Sequence, residues 1–254
     1  MTDALGSSLF YIGALTGLVG LLNVIRPFRW SRIRTRRRAA LVAATGLALI
    51  VGATLLPNQT RTASARDTLI DQWLPEWQFR EYHERRVRGT PREVFDAIRQ
   101  VRSSDIFLFR TLTFIRNPLR QDQRQDILNA PGDTPILDVA LAGGFVLLGE
   151  TDSELLIGAV VIAPPGLARG AQRGNVSALN PARFRTLERP GFARAVMNFR
   201  VIPEADGWTR VTTETRVHAV DTATRRQFTR YWRAIFPGSW IIRWSWLRAI
   251  EARR

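Results

Sequence analysis

The chain has 254 residues, a formal charge of +15 and no cysteine, which excludes disulfides and thiolate metal sites. Its basic residues are all Arg, spread over every part of the sequence, a pattern of codon bias and solvated surface rather than a clustered phosphate footprint, so no nucleic-acid partner is expected. The length suits one good-sized domain plus extra elements.

Residues 4–25 and 39–56 carry no charge over 22 and 18 residues. At about 1.5 Å per residue, each approaches the roughly 30 Å of a hydrocarbon core. The second is the more apolar, from Leu41 to Leu56, and Pro57 stops it. The first holds Gly13-x-x-x-Gly17 and Gly20, a candidate contact face for the second helix. A signal peptide would need a positive start, and the only charge before the apolar run is Asp3. Residues 1–56 are therefore expected to form a transmembrane hairpin.

Its loop, residues 26–38, carries seven Arg. Arg29, Trp30, Arg32, Arg34, Arg36, Arg37 and Arg38 are the expected membrane-surface residues, with anionic lipid headgroups as their partners. A short basic loop stays cytoplasmic, which predicts a two-pass protein of the cell (inner) membrane with everything after Leu56 on the far side.

Residues 57–73 are polar and read as a linker that could end in a short helical turn. Trp77–Gly89 alternates as a strand with Trp77, Phe79, Glu81, His83, Arg85 and Val87 on one face. Thr90-Pro91-Arg92-Glu93 then starts a helix: Thr90 caps, Pro91 suits the first turn, and Glu93 completes a capping box. Residues 117–135 and 164–181 read as loops, the second a cover for a cavity mouth. Residues 145–150 and 155–163 read as strands.

Two longer strands follow. In the first, residues 193–202, Ala193, Ala195, Met197, Phe199 and Val201 oppose Arg194, Asn198 and Arg200. In the second, residues 209–220, Val211, Thr213, Thr215, Val217 and Ala219 oppose Arg210, Glu214, Arg216 and His218. This predicts one apolar face and one charged, solvated face, with Glu214, Arg216 and Arg200 as an ion-pair ladder and His218 exposed. Phe228, Trp232, Ile235, Ser239, Ile242, Trp246 and Ala249 then step by alternating fours and threes, one stripe of a long helix that could cover the apolar face. Pro237-Gly238 should kink or break it. Trp240, Trp244 and Trp246 either all pack on the sheet, or the outer-facing Trp240 and Trp244 rest on the membrane interface. The fold class is α+β.

Three segments, HERRVRGTPREVFDAI (83–98), TRVTTETRV (209–217) and the helix 225–250, carry a resemblance. A strand, a capped T-P-x-x-V-F helix, hairpin-linked strands and a long last helix resemble the SRPBCC superfamily, the helix-grip proteins that include START, Bet v 1-like and polyketide-cyclase-like members. It covers residues 74–254. The resemblance implies a curved antiparallel sheet gripping the last helix around a hydrophobic cavity, which in many relatives holds lipids, sterols or polyketides. Met197, Phe199, Val211, Val217, Phe228, Trp232 and Ile235 are the expected cavity residues.

Motifs that carry chemistry are few. Phosphate-loop, metalloprotease and nucleophile-elbow sequences are absent from the chain, and neither a metal nor a cofactor is expected. Glu81 and His83 could act as a base and its orienting group, or form a satisfied buried polar pair. Three functions remain: a membrane-anchored helix-grip domain for a lipid or apolar small molecule, an envelope scaffold that binds a partner without a ligand, and a cyclase- or hydrolase-type enzyme using Glu81 and His83. Nothing in the sequence bears on the oligomeric state.

Overall fold

The structure is a computed structural model and describes residues 2–26, 28, 33, 35–56, 58–109, 111–112, 132–142, 144–162 and 180–254. Arg29, Trp30, Arg32, Arg34 and most of the two predicted loops lie outside the described residues. The chain divides into two units: residues 1–59 with 229–237, and residues 60–228 with 238–254.

The first unit is the apolar hairpin. Helix α1 (Thr2–Ile25) and helix α2 (Arg36–Leu55) are both long and apolar enough to cross a membrane. Asn23 ends α1, accepting the Phe28 N–H at 3.0 Å, and Thr35 caps α2 by accepting the Arg38 N–H at 3.3 Å. Helix α2 starts three residues before the apolar run, so exposed Arg36, Arg37 and Arg38 form its first turn.

Glycine sets how closely α1 and α2 approach. A Cβ on Gly13 would stand 2.8 Å from the Gly46 carbonyl oxygen, and one on Gly46 would run into the backbone of Gly17. One on Gly20 would run into the backbone of Ala43. The glycine stripe is thus the contact face, as its spacing suggested. Leu15, Leu18, Leu21, Leu41, Leu47 and Leu55 point away from the contact and are exposed.

Residues 229–237 complete this unit. Buried Arg233 donates from Nη2 to the Leu56 carbonyl oxygen at 2.7 Å, and Asn58 Nδ2 donates to Thr229 Oγ1 at 2.9 Å. The Tyr11 hydroxyl donates to the Ala234 carbonyl. A cation on the last carbonyls of a helix meets the negative end of its dipole.

The second unit is built on five antiparallel strands: β3 (Phe79–Arg88), β4 (Val146–Glu150), β5 (Glu154–Ile162), β6 (Phe192–Pro203) and β7 (Trp208–Ala219), in the order β3-β7-β6-β5-β4. A short pair, β1 (Arg61–Thr62) and β2 (Glu76–Trp77), lies upstream of them. Asp206 and Gly207, with φ of 57° and 71°, turn β6 into β7. Helix α4 (Pro91–Gln100) has its expected capping box. With α7 (Thr222–Arg253), whose residues outside 229–237 belong here, it covers the inner face. Met197, Phe199, Val211, Leu155 and Ile157 there meet Val94, Ile98, Trp246, Leu247 and Ile250.

The outer face departs from expectation. It is covered as well, by α3 (Leu69–Trp73) and α6 (Pro181–Thr186). Ile70, Leu74 and Phe184 pack there on Leu148, Leu156 and Val196. Residues 57–73, read as a linker, thus contain β1 and α3. Glu154, Asn198, Thr212, Glu214 and Arg216 of that face are correspondingly buried, while Tyr82, Glu84 and Arg86 on β3 stay exposed. Glu154 accepts the Leu69 and Ile70 N–H groups at 2.9 and 3.3 Å and the Asn198 amide at 2.7 Å. Arg216 pairs with Glu214 at 2.6 Å and Asp71 at 2.7 Å, its guanidinium 3.9 Å from the Trp77 ring centroid. Arg80 binds Glu214 through two nitrogens.

The ion-pair ladder is therefore corrected: buried Glu214 and Arg216 are paired with half-buried Arg80 and Asp71, while Arg200 stands opposite Thr212. His218 is half-buried beside Gln78 rather than exposed, and burial, with Arg194 nearby, lowers its pKa. Helix α7 runs through Pro237 without a break. The ring deletes one N–H bond, and the hydrogen-bonded turns on either side continue the helix.

The remaining helix of the second unit is α5 (Ile136–Ala142), whose Ile136, Leu137, Val139 and Ala140 join the inner core.

Candidate functional site

The inner face changes character toward β3. The register sets Glu81 opposite Thr215 and His83 opposite Thr213, while Thr215 and Thr213 stand beside Met197 and Phe199 of β6. Apolar residues at the centre of the sheet thus give way to two rows of polar ones. From Gly238 onward, α7 turns Ser239 and Arg243 onto these rows, one helical turn apart.

Glu81 is the centre of the group. One carboxylate oxygen lies 2.9 Å from His83 Nε2, and the other accepts the Ser239 hydroxyl at 2.6 Å. Glu81 is 4% exposed and His83 9%. A carboxylate this deep in protein needs both partners, because an unpaired buried charge costs several kcal/mol. Arg243 Nη2 donates to Thr215 Oγ1 at 3.0 Å, and its guanidinium also contacts the Met197 sulfur. Trp240 meets the His83 ring edge-on, with centroids 5.6 Å apart.

The order of the three groups constrains their chemistry. In a serine hydrolase the imidazole stands between hydroxyl and carboxylate, so that it can take the hydroxyl proton. Here the carboxylate stands between hydroxyl and imidazole, so Ser239 has no base positioned to make it a nucleophile through His83. Glu81 is instead an acceptor for two donors, suited to fixing a polar group. Among the described residues no cluster of three or more His, Asp or Glu could hold a metal.

The expected cavity residues separate into two sets. Met197, Phe199 and Val211 share the inner core, where Phe199 lies 4.9 Å from Trp246 between ring centroids. Val217 and Phe228 are buried in the same unit, Phe228 with its ring 4.8 Å from Phe79. Trp232 and Ile235 belong to residues 229–237 of the hairpin unit, where Trp232 packs beside Phe236. Of the three tryptophans, Trp246 is buried, and Trp240 and Trp244 are exposed.

Sequence reasoning paired Glu81 with His83 but missed Ser239, Thr215 and Arg243. One signal was present: Ser239 is the only hydroxyl on the apolar stripe from Phe228 to Ala249. No family model, curated protein or solved structure matches this chain.

Proposed function

We propose that the chain is a membrane-anchored helix-grip domain that binds an amphiphilic, lipid-like molecule between the inner sheet face and α7, with no catalysis assigned. The observation that carries this reading is the Glu81–His83–Ser239 group, with Arg243 and Thr215, set at the edge of an otherwise apolar layer. A few converging polar groups on apolar walls are how sites for such ligands fix orientation. The resemblance to SRPBCC proteins points the same way, and the hairpin supplies the anchor. By the positive-inside rule, residues 26–38 face the cytoplasm with anionic headgroups as partners, and the sheet domain lies outside it. A reporter active only in the cytoplasm when fused at Arg254 would reverse that orientation.

The test is native mass spectrometry of the full chain, delipidated in detergent and offered a mixture of phospholipid, fatty acid and isoprenoid alcohol. One retained apolar species is expected for the parent, and less for Glu81→Gln and for Val217→Trp with the fold intact by circular dichroism. No retained mass, or equal retention in both variants, overturns the reading. A partner-binding scaffold is the second reading, favoured by the exposed Trp240 and Trp244. An enzyme built on Glu81 and His83 has in its favour that both face inward, and against it the order of the three groups.

A further inference from the structure

Helix α7 carries an exposed stripe that neither the core nor the Glu81 group uses. Trp240 and Trp244 are 45% and 37% exposed, with rings stacked at 8° and centroids 6.3 Å apart. The Arg248 guanidinium lies 4.8 Å from the Trp244 ring centroid, extending the stack by a cation–π contact. Trp240, Trp244 and Arg248 step by four along one side of the helix, so the patch carries two indoles and one cation, and Glu251, one turn further on, is already paired with Arg85.

We propose that this patch docks on the bilayer surface, with an anionic phospholipid headgroup on its arginine and the interfacial layer around its indoles. The proposal rests on the membrane-anchored reading. Trp and Arg together favour the membrane–water interface, where an indole keeps its ring in the acyl boundary and its N–H in water. Each basic residue near an anionic leaflet contributes attraction to it. Chain length supplies the proximity. Only residues 56–59 separate the end of α2 from Thr60, where the sheet unit begins. Fully extended, that connection reaches less than about 20 Å. A patch so tethered meets the bilayer at a high effective concentration, whereas a protein partner must arrive by diffusion. Docking would also bring lipid to Trp240, whose ring lies against His83.

The chain has no cysteine, so a single introduced one can carry a spin label. Full-length Trp244→Cys, and Arg248→Cys as a second exposed position, are labelled and reconstituted into vesicles of phosphatidylethanolamine and phosphatidylglycerol. Collision with oxygen, enriched in lipid, is compared with collision with a water-soluble nickel complex. At both positions oxygen is expected to prevail severalfold, and less so when phosphatidylcholine replaces the anionic lipid. Nickel prevailing at both positions overturns the proposal. Labels shielded from both reagents overturn it too, pointing to a protein surface over the stripe. Leu47→Cys, on the exposed side of the hairpin, separates the two readings. Lipid there with water at 244 and 248 sinks only the docking, whereas water at all three sinks the anchor as well.

Discussion

Replacing Gly46 by alanine tests whether the two apolar helices are a packed pair or two independent spans. Its Cβ would stand 2.6 Å from the Gly13 carbonyl oxygen and closer still to the backbone of Gly17. Both are main-chain atoms, which cannot swing aside as a side chain would. Restoring an ordinary contact of about 3.5 Å requires the helices to part by roughly 1 Å. Over an interface this small the lost packing, like overpacking in a core, should cost about 1–3 kcal/mol. Lipid tails are as apolar as the side chains they would replace, so no hydrophobic gain offsets it. Gly52→Ala is the internal control: nothing lies within 4 Å of its Cβ, and alanine favours the helix by up to about 1 kcal/mol. The assay is an SDS titration of the full chain in mixed micelles, read by energy transfer between dyes at Leu22→Cys and Leu41→Cys, both exposed. Gly46→Ala should part the dyes at lower SDS, and Gly52→Ala at equal or higher SDS. Gly46→Ala within about 0.5 kcal/mol of the parent would refute the close-packed hairpin, being no larger than an ordinary surface substitution.

Two further outcomes follow from the sheet unit. Glu154→Ala orphans three donors, the N–H groups of Leu69 and Ile70 and the Asn198 amide. It should cost about 2–4 kcal/mol and lower the melting temperature of the full chain by roughly 5–15 °C, whereas Glu154→Gln, which keeps one acceptor, should lose less than half of that. A shift under about 2 °C for Glu154→Ala would mean that α3 does not depend on this carboxylate. His218 has a folded pKa below its ordinary 6.5, mainly through burial. The unfolded chain therefore takes up a proton on acidification that the folded chain refuses, and stability falls as pH drops from 6.5 through the folded value, being unaffected above 6.5. In denaturant titrations at a series of pH values, His218→Gln should flatten the slope in that window; an unchanged slope would assign it to other groups.

The sequence alone was enough to place the hairpin, α4 with its capping box, and strands β3, β6 and β7 to within two or three residues. These are local signals: apolar length, a capping pattern and alternation are complete within a dozen residues of one another. The same locality made Glu81 and His83 visible as neighbours on one strand face, and left Ser239, which lies 158 residues from Glu81, as an unexplained hydroxyl on an apolar stripe. It also made the outer sheet face look solvated, because Glu214, Arg216, Asn198 and Glu154 are polar by type. Only the tertiary structure decided that they are buried. Asp71, the α3 backbone and Arg80 satisfy them, and charge pairs and hydrogen bonds permit burial that residue type alone argues against. Continuity of α7 through Pro237, and the exposure of Trp240 and Trp244 beside a buried Trp246, were decided the same way. A side chain's surroundings depend on segments distant in sequence, and no local pattern records them.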